Sequence, residues 1–194
     1  MARTQAADYE ERRESIVERA ADLFATRGFR GASMADLAAA CATSKSLLYH
    51  YYPSKEDLLY AVMLSHIDQL VADVAAVAGE AGTAREMLER ILHRFMHHYV
   101  GAASRQKVLL NDLVHLPDDK RASVVAKQRG IIDAVQALLV EFDPALASDP
   151  VAARVRTMLL FGMINWTHTW FHEGGPASAD TIADAALRLV APAS

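Results

Sequence analysis

A run of residues near the N-terminus, positions 43–52, concentrates side chains that can form hydrogen bonds with a nucleic acid. Its sequence, Thr-Ser-Lys-Ser-Leu-Leu-Tyr-His-Tyr-Tyr, places small hydroxyls, one ammonium, one imidazole and several phenols within about three helical turns. Such groups bond phosphate oxygens or the edges of bases. Leu48 and Tyr52 are four residues apart, which predicts that they anchor a helix inward while the polar side chains face outward.

Two pairs of histidines have the i, i+4 spacing that a helix places on one face: His93 with His97, and His168 with His172. Such a pair can hold a metal ion. Neither pair has the glutamate of a His-Glu-x-x-His motif or a cysteine nearby. We therefore interpret these histidines as polar side chains at the edge of amphipathic helices or as pocket residues. We predict no metal site and no cofactor, and we interpret the single cysteine, Cys41, as a small core residue.

The composition limits the classes of protein to which the chain can belong. Hydrophobic residues make 52% and charged residues 23% of its 194 residues, which is typical of a globular chain long enough to bury a core. The sequence has no glycine-rich phosphate loop and no nucleophile elbow, so no enzymatic activity is predicted. Its N-terminus has no apolar signal core, and its longest apolar run, 158–164, is too short to span a bilayer. These features and the single cysteine predict a cytoplasmic protein without membrane association.

The net charge of −4 is unevenly distributed along the chain. Residues 1–55 contain 8 Lys and Arg against 7 Asp and Glu, whereas residues 56–194 contain 12 against 17. The N-terminal segment must therefore place its positive charges locally if it binds a polyanion.

Hydrophobic periodicity and helix-end signals predict nine helices and no strand. Ile16, Ala20 and Phe24 share one face of the first helix, Gly28 ends it, and Ser33 with Asp36 has the spacing of a capping box for the second. The predicted helices cover about 8–26, 34–41, 44–51, 55–78, 83–103, 106–116, 117–142, 150–173 and 178–190. The first three, with a tight turn between the second and third, form a predicted helix-turn-helix.

Two motifs in this segment resemble those of one family. Residues 24–29, Phe-Ala-Thr-Arg-Gly-Phe, match the pattern F-x-x-x-G-F, and residues 48–58 match Leu-Tyr-x-x-Phe-x-x-Lys-x-x-Leu, with Tyr52 in place of the usual Phe. Ala42 stands where the turn usually has glycine. The run from about residue 10 to residue 60 closely resembles the DNA-binding domain of the TetR family of bacterial repressors.

The resemblance implies an all-α protein with a helix-turn-helix DNA-binding domain over residues 1–54 and a helical-bundle domain for ligand binding and dimerisation over residues 55–194. By position, Ser44, Lys45, Ser46 and Leu47 would face base edges in the major groove, and Thr43, Tyr49 and His50 would hold phosphates. Lys55, at the start of the next helix, would clamp a phosphate together with free backbone N–H groups. The alternative for Tyr49 is packing in the core.

Two C-terminal segments, 109–117 and 162–171, resemble the branch of the family that responds to acyl-CoA thioesters of catabolic pathways, including phenylacetate and steroid degradation. An acyl-CoA sensor needs an apolar tunnel and a cationic mouth for the nucleotide phosphates. The predicted ligand-binding residues are Tyr99, Asn111, Arg129, Phe161, Asn165, Trp166 and Trp170. Further cations that could bind the phosphates are Arg105, Lys107, Arg121 and Lys127. Further apolar side chains that could line the tunnel are Phe95 and Met96. The alternative to a ligand site is that the aromatic side chains belong to the ordinary core of the helical bundle and the cations to a solvated surface.

The resemblance implies a ligand-responsive transcriptional repressor that a small molecule, an acyl-CoA such as phenylacetyl-CoA, releases from a double-stranded DNA operator. A drug-type sensor of another hydrophobic ligand is the alternative. It would need carboxylates in its pocket, whereas the acids here cluster at helix ends. A ligand-free architectural DNA binder would not need so large an aromatic C-terminal part.

We expect a homodimer built by the last two helices. Val155, Met158, Leu159 and Gly162, with the segment 182–190, have apolar faces at helical spacing. A two-fold dimer presents two recognition helices, so the operator should be roughly palindromic. The alternative is that these faces pack only within one chain.

Overall fold

The computed structural model describes residues 2–172 and 174–192, and over that part of the chain the fold is all α-helical, without a strand. This confirms the predicted fold class. The α-helices are α1 (Ala2–Gly31), α2 (Met34–Ala40), α3 (Lys45–Tyr51), α4 (Lys55–Ala78), α5 (Ala84–Gly101), α6 (Ala103–Asn111), α7 (Asp118–Phe142), α8 (Pro150–Asn165) and α9 (Ala179–Val190). Short 3-10 helices cover Leu113–His115, Pro144–Ser148 and Trp166–Thr169.

The described chain forms two compact units. The first comprises residues up to 66 together with 104–124, and the second comprises 67–103 together with the residues from 125 onward. These units are defined by packing, so the functional division predicted between residues 54 and 55 stays a prediction.

The first unit begins with α1, which is kinked at Gly28. Gly28 has φ 70° and ψ 159°, a conformation that glycine adopts without steric cost, and this break stands where the sequence predicts the end of the helix. Before the kink, Ile16, Ala20 and Phe24 are buried as their spacing predicts. The aromatic ring of Phe24 contacts that of Phe29, so the core continues through the kink.

Local hydrogen bonds determine where the short helices α2 and α3 begin. Ser33 and Asp36 form the predicted capping box, in which the Ser33 hydroxyl accepts from the Asp36 N–H and the Asp36 carboxylate accepts from the Ser33 N–H. The Ser44 hydroxyl accepts from the Leu47 N–H and caps α3. Between the two helices Ala42 has φ 50°, a left-handed conformation that glycine adopts at a lower steric cost.

Polar contacts join the segment 104–124 to the rest of the first unit. The buried Arg105 guanidinium donates to the carboxylate of Glu14 at 2.7 Å and also contacts Glu18 of α1. Lys120 pairs with Asp57, and this pairing, together with the hydrogen bond from Ser54, lowers the pKa of Asp57. At the centre of the unit, His66 Nε2 lies 2.7 Å from Gln106 Oε1, and both side chains are buried.

The second unit is built around α5, α8 and α9. Phe95, Leu92 and Met96 of α5 and Ala183 and Leu187 of α9 are buried, with α9 packed along α5. The Thr83–Glu86 capping box begins α5, and the Arg85 Nε donates to the Ala191 carbonyl at 3.2 Å, just after α9 ends.

Two helices end earlier than the periodicity predicts. α6 ends at Asn111 rather than 116, and α8 ends at Asn165 and continues as a 3-10 turn. The predicted end of the latter, Glu173, lies outside the described residues. His168 therefore lies in the 3-10 helix and His172 beyond it, so this pair does not have the helical i, i+4 arrangement.

One helix of the described chain, Lys55–Ala78, is long and apolar enough to cross a membrane by length and composition alone. The core helix of a globular domain passes the same test, and α4 places Leu58, Leu59, Val62 and Met63 in the buried core. This helix is therefore weak evidence for a membrane span.

Candidate DNA-binding interface

The third helix, α3, is the recognition helix that the resemblance implies. It presents its polar side chains to solvent and its apolar ones to the core. Ser44, Lys45, Ser46, Tyr49 and His50 are exposed. Thr43 and Leu47 are partly exposed, whereas Leu48 and Tyr52 are buried, as their four-residue spacing predicts. Every residue predicted to face a base edge or a phosphate from α3 is therefore accessible, and the helix is held from its opposite side.

Aromatic and cationic contacts attach α3 to α1. The Tyr9 and Tyr51 rings stack with centroids 4.7 Å apart, and the Arg13 guanidinium lies 6.0 Å from the centre of the Tyr52 ring. Burial raises the pKa of the Tyr52 phenol against the opposing effect of Arg13. The phenol therefore stays neutral at physiological pH.

Lys45 and Tyr49 lie side by side on the outer face of α3. The Lys45 ammonium is 5.8 Å from the centre of the Tyr49 ring, and Tyr49 is 41% exposed. Tyr49 is therefore not a core residue, which excludes the packing alternative. The adjacent ammonium and phenol can both donate hydrogen bonds to the phosphate oxygens of a nucleic acid.

The Lys55 ammonium has partners within the chain. It donates to the backbone carbonyls of Phe29 and Ala32, each at 2.9 Å, and lies 4.2 Å from the centre of the Phe29 ring. An ammonium has three donors, so these bonds leave one for a phosphate. The phosphate clamp stays a prediction, but the sequence did not reveal that Lys55 also joins α4 to the kinked end of α1.

A groove of about 420 Å³ brings together three of the predicted DNA contacts, Lys45, Tyr49 and Lys55. Its other walls include Ser33 and Ser54, which were predicted only as helix caps. Both hydroxyls accept backbone N–H bonds at the starts of α2 and α4, where partial positive charge accumulates. Each hydroxyl also donates its proton to a carboxylate three residues later in the chain, so the positive charge available to a phosphate in this groove comes from the Lys45 and Lys55 ammonium groups.

Family models match both parts of the chain. Residues 16–62 match the model described as bacterial regulatory proteins of the tetR family, and residues 81–192 match the tetracyclin repressor-like C-terminal domain. The chain belongs to the TetR family. It is accordingly a transcription regulator with a DNA-binding helix-turn-helix and a C-terminal domain of the ligand-binding type.

Individual TetR-family relatives match along nearly the whole chain. A TetR-family regulator from Bordetella parapertussis is 38% identical with a TM-score of 0.88, and the match covers 92% of this chain and 93% of that one. AibR in complex with isovaleryl coenzyme A and operator DNA is 27% identical with a TM-score of 0.82, covering 93% and 98% of the two chains. The transcriptional repressor KstR2 of Mycolicibacterium smegmatis is 26% identical over 196 residues, which cover 92% of this chain and 88% of its own.

The residues predicted to bind an effector divide into buried and exposed sets. Tyr99 and Phe161 are buried, and the Tyr99 ring stacks on Phe95 with centroids 6.2 Å apart. Asn165 is partly exposed and Arg129 is exposed. Among the further predicted cations, Arg105 binds Glu14 and Glu18, and Lys127 pairs with Asp68 at 2.6 Å.

Asn111, another predicted ligand-binding residue, lies at the surface and not in the apolar core. Asn111 is exposed, and its Nδ2 donates to the Lys107 carbonyl one turn earlier in α6. Within the first compact unit it lines a groove of about 460 Å³ with Arg121 and three apolar residues, Leu110, Leu113 and Val114. The groove thus combines an apolar wall with an amide and a guanidinium.

Trp166 and Trp170 do not form the walls of a tunnel within the described chain. They are 64% and 50% exposed, because α8 ends at Asn165 and the chain turns there. Four apolar residues on one stripe of α8 are also exposed, by 48% to 73%: Val151, Val155, Met158 and Leu159. Trp166 follows the same stripe at helical spacing, and this exposed apolar face is larger than a solvated helix normally presents.

Proposed function

We propose that this TetR-family regulator is a repressor that binds a palindromic operator as a homodimer and is released from it by an acyl-CoA thioester. The observation that supports operator binding is the exposed polar face of α3 over a buried Leu48–Tyr52 anchor. Repression is inferred from the KstR2 relative, which is named a transcriptional repressor. We expect a cytoplasmic protein, because a repressor must reach its operator DNA.

In this proposal Ser44, Lys45, Ser46 and Leu47 contact base edges, while Thr43, Tyr49, His50 and Lys55 contact phosphates. The groove between Lys45 and Lys55 supports a phosphate position, because the two ammonium groups and the Tyr49 phenol line it together. Residues 1–54 are the DNA-binding domain, and residues 55–194 bind the effector and form the dimer.

The exposed stripe of α8 supports the homodimer. A second copy related by a two-fold axis would cover Val151, Val155 and Leu159 with the same residues of its own α8. Leu189 of α9 is also exposed, so α8 and α9 of the two chains can form a four-helix bundle.

The acyl-CoA effector is supported by the AibR structure, which holds isovaleryl coenzyme A and operator DNA. The apolar groove with Asn111 and Arg121 has the combination that a thioester of coenzyme A needs, since the guanidinium can pair with phosphates and the apolar wall can contact an acyl group. Within the second unit, the predicted ligand-binding residues stay Tyr99, Arg129, Phe161, Asn165, Trp166 and Trp170. Phenylacetyl-CoA is the first thioester to test.

A ligand releases DNA only if it binds the DNA-incompetent state more tightly than the DNA-bound one. We propose that α4 transmits the ligand-induced movement to the recognition helix, because α4 starts beside that helix and continues to Ala78. The ion pairs of Arg105 with Glu14 and Glu18 attach α6 to α1, so movement of α6 would also act on the DNA-binding helices.

A drug-type regulator that senses another hydrophobic ligand is the second candidate. The exposed Trp166 and Trp170 favour it as stacking surfaces for a cationic hydrophobe. Release of DNA by such a compound, with no effect of any thioester, would select this candidate.

The deciding experiment is a gel-shift titration of the protein on its operator with phenylacetyl-CoA, a series of fatty acyl-CoAs, the matching free acids and CoA alone. We expect the thioesters to release DNA and the free acids to act at least tenfold more weakly, because the acids lack the phosphates. An Arg121→Gln variant should lose sensitivity to thioesters while its DNA affinity is unchanged, and the exposed Arg188→Gln serves as the matched control. Release by free acid alone would reject the acyl-CoA proposal and leave the family assignment intact.

A further inference from the structure

Five side chains that can bind a metal ion meet where α9 packs on α5. Glu89, His93 and His97 follow one another at intervals of four residues on α5, and Asp180 and Asp184 have the same interval on α9. His93 Nδ1 lies 2.9 Å from Asp180 Oδ1, and His93 Nε2 lies 2.9 Å from Asp184 Oδ1. His97 Nε2 lies 2.9 Å from the same Asp180 oxygen.

The two carboxylates beside His93 favour a positive charge on its ring, from a second proton or a bound metal ion. A neutral imidazole has one N–H, so one of its two 2.9 Å contacts would place a nitrogen lone pair against a carboxylate oxygen. A proton or a metal ion on the second nitrogen removes that repulsion. Donor atoms of Glu89, His93 and Asp184 lie within 4.8 Å of one another, so one ion can reach all three after small side-chain movements.

We propose that Glu89, His93 and Asp184 bind a divalent transition-metal ion of the Zn²⁺ class. His93 would bind through Nε2, the nitrogen on the Asp184 side, and its Nδ1–H would donate to Asp180. This carboxylate then orients the ring as the outer-shell partner of a metal-binding histidine commonly does. His97 in turn holds Asp180, and water completes the coordination.

Charge and ligand type favour this class of ion. Three carboxylates face two histidines here, and Arg85 is the nearby cation, 3.7 Å from Glu89. A dication would offset most of the negative charge. An imidazole with carboxylates suits Zn²⁺ better than Mg²⁺, which prefers oxygen ligands in octahedral geometry. The side chains are partly exposed, so an ion can enter from solvent.

The test uses the full-length protein stripped with a chelator and titrated with ZnCl₂. We expect saturable binding of one Zn²⁺ per chain and, at about 100 times the Kd, a rise in Tm of about 5–10 °C. His93→Gln and Asp184→Asn should each weaken binding by more than 100-fold, and Asp180→Asn by about 10–100-fold. A double variant, His168→Gln with His172→Gln, is the control and should bind like the parent protein.

A second measurement does not depend on the folding of any variant. Calorimetry of the unmodified protein in two buffers should show about one more proton released per Zn²⁺ at pH 6 than at pH 8, because the metal displaces a proton from His93. Co²⁺ should give the intense visible absorption of a four-coordinate site. Binding that survives His93→Gln, or that is lost in the control, would overturn the proposal, as would the absence of stoichiometric binding.

Discussion

The Lys55 ammonium lies 4.2 Å from the centre of the Phe29 ring and donates a 2.9 Å hydrogen bond to the Phe29 carbonyl. This contact joins the first residue of α4 to the segment that follows the kink at Gly28. Lys55 therefore holds the start of α4 against the end of α1, a structural role that is separate from any contact with DNA.

The Lys55→Met substitution keeps the apolar stem and removes the ammonium. We expect the free energy of unfolding to fall by about 1–3 kcal/mol, because two carbonyls lose a charged donor. Urea unfolding measures this. The control is Lys45→Met, whose exposed ammonium has no such bonds and whose stability should not change. If Lys55 also clamps a phosphate, the salt dependence of operator binding should flatten by about one unit of slope. An unchanged slope would reject the clamp.

Lys45 is predicted to contact a base edge. We expect Lys45→Ala to weaken operator binding by about 1–3 kcal/mol and to relax the preference at one base position, because a base contact contributes to discrimination. Binding to a library of operator variants measures both effects. Lys107→Ala removes the same charge from an exposed position on α6 and should leave the preference unaltered. A uniform loss over all sequences would show that Lys45 contacts phosphate instead.

Ala42 has φ 50° in the turn of the helix-turn-helix. Ala42→Gly should stabilise the protein by about 1 kcal/mol, since glycine adopts this conformation without the steric cost of a Cβ. Thermal unfolding should show a rise in Tm of about 2–4 °C. The matched substitution Ala39→Gly, at an exposed helical position of α2, should lower the stability by about the same amount. A fall in Tm for both would contradict the left-handed turn.

Leu159 is 62% exposed at the centre of the α8 stripe. In a two-fold dimer Leu159→Lys would bury one ammonium from each chain in the interface. We therefore expect the dimer dissociation constant to rise by about 100-fold or more. Sedimentation should then detect a monomer of 21.2 kDa at concentrations where the parent protein is a dimer. Glu141→Gln makes the same change in net charge at an exposed position of α7 and is the control. A parent protein that is monomeric at micromolar concentration would reject this interface.

The His93 cluster should make the stability of the metal-free protein depend on pH. Burial disfavours the charged ring, but the hydrogen bonds and charges of Asp180 and Asp184 outweigh burial and raise the pKa of His93. The contribution to stability is therefore complete below the unfolded pKa of about 6.5 and is lost as the pH rises through the folded pKa. Urea unfolding with a chelator should show falling stability from pH 6 to pH 8.

The control for this pH dependence is Asp184→Asn, which removes one of the two carboxylates on His93. Glu89 and His97 are the other titratable groups of the cluster, and His97 should retain its contact with Asp180. We therefore expect a shallower slope in the variant. The same slope in both proteins would show that other groups cause the pH dependence.

Local features of the sequence were sufficient to predict which segments are helical and which side chains of α3 face outward. The Ser33–Asp36 box, the break at Gly28 and the Leu48–Tyr52 spacing act within one or two turns of chain, and the structure places all three as predicted. Local hydrogen bonds and the helical period are sufficient for such features. The family motifs of residues 24–58 lie in the same region, so the fold and the family could also be recognised there.

The contacts between side chains far apart in the sequence, and the helix faces that stay exposed, could be read only from the folded chain. Lys55 bonds carbonyls 23 and 26 residues away, and His93 meets carboxylates 87 and 91 residues away, contacts that no local spacing encodes. The exposure of Trp166 likewise follows from where α8 ends and from what packs on it. An apolar side chain at helical spacing indicates a face of the helix, but whether its own chain or a second copy covers that face depends on long-range packing.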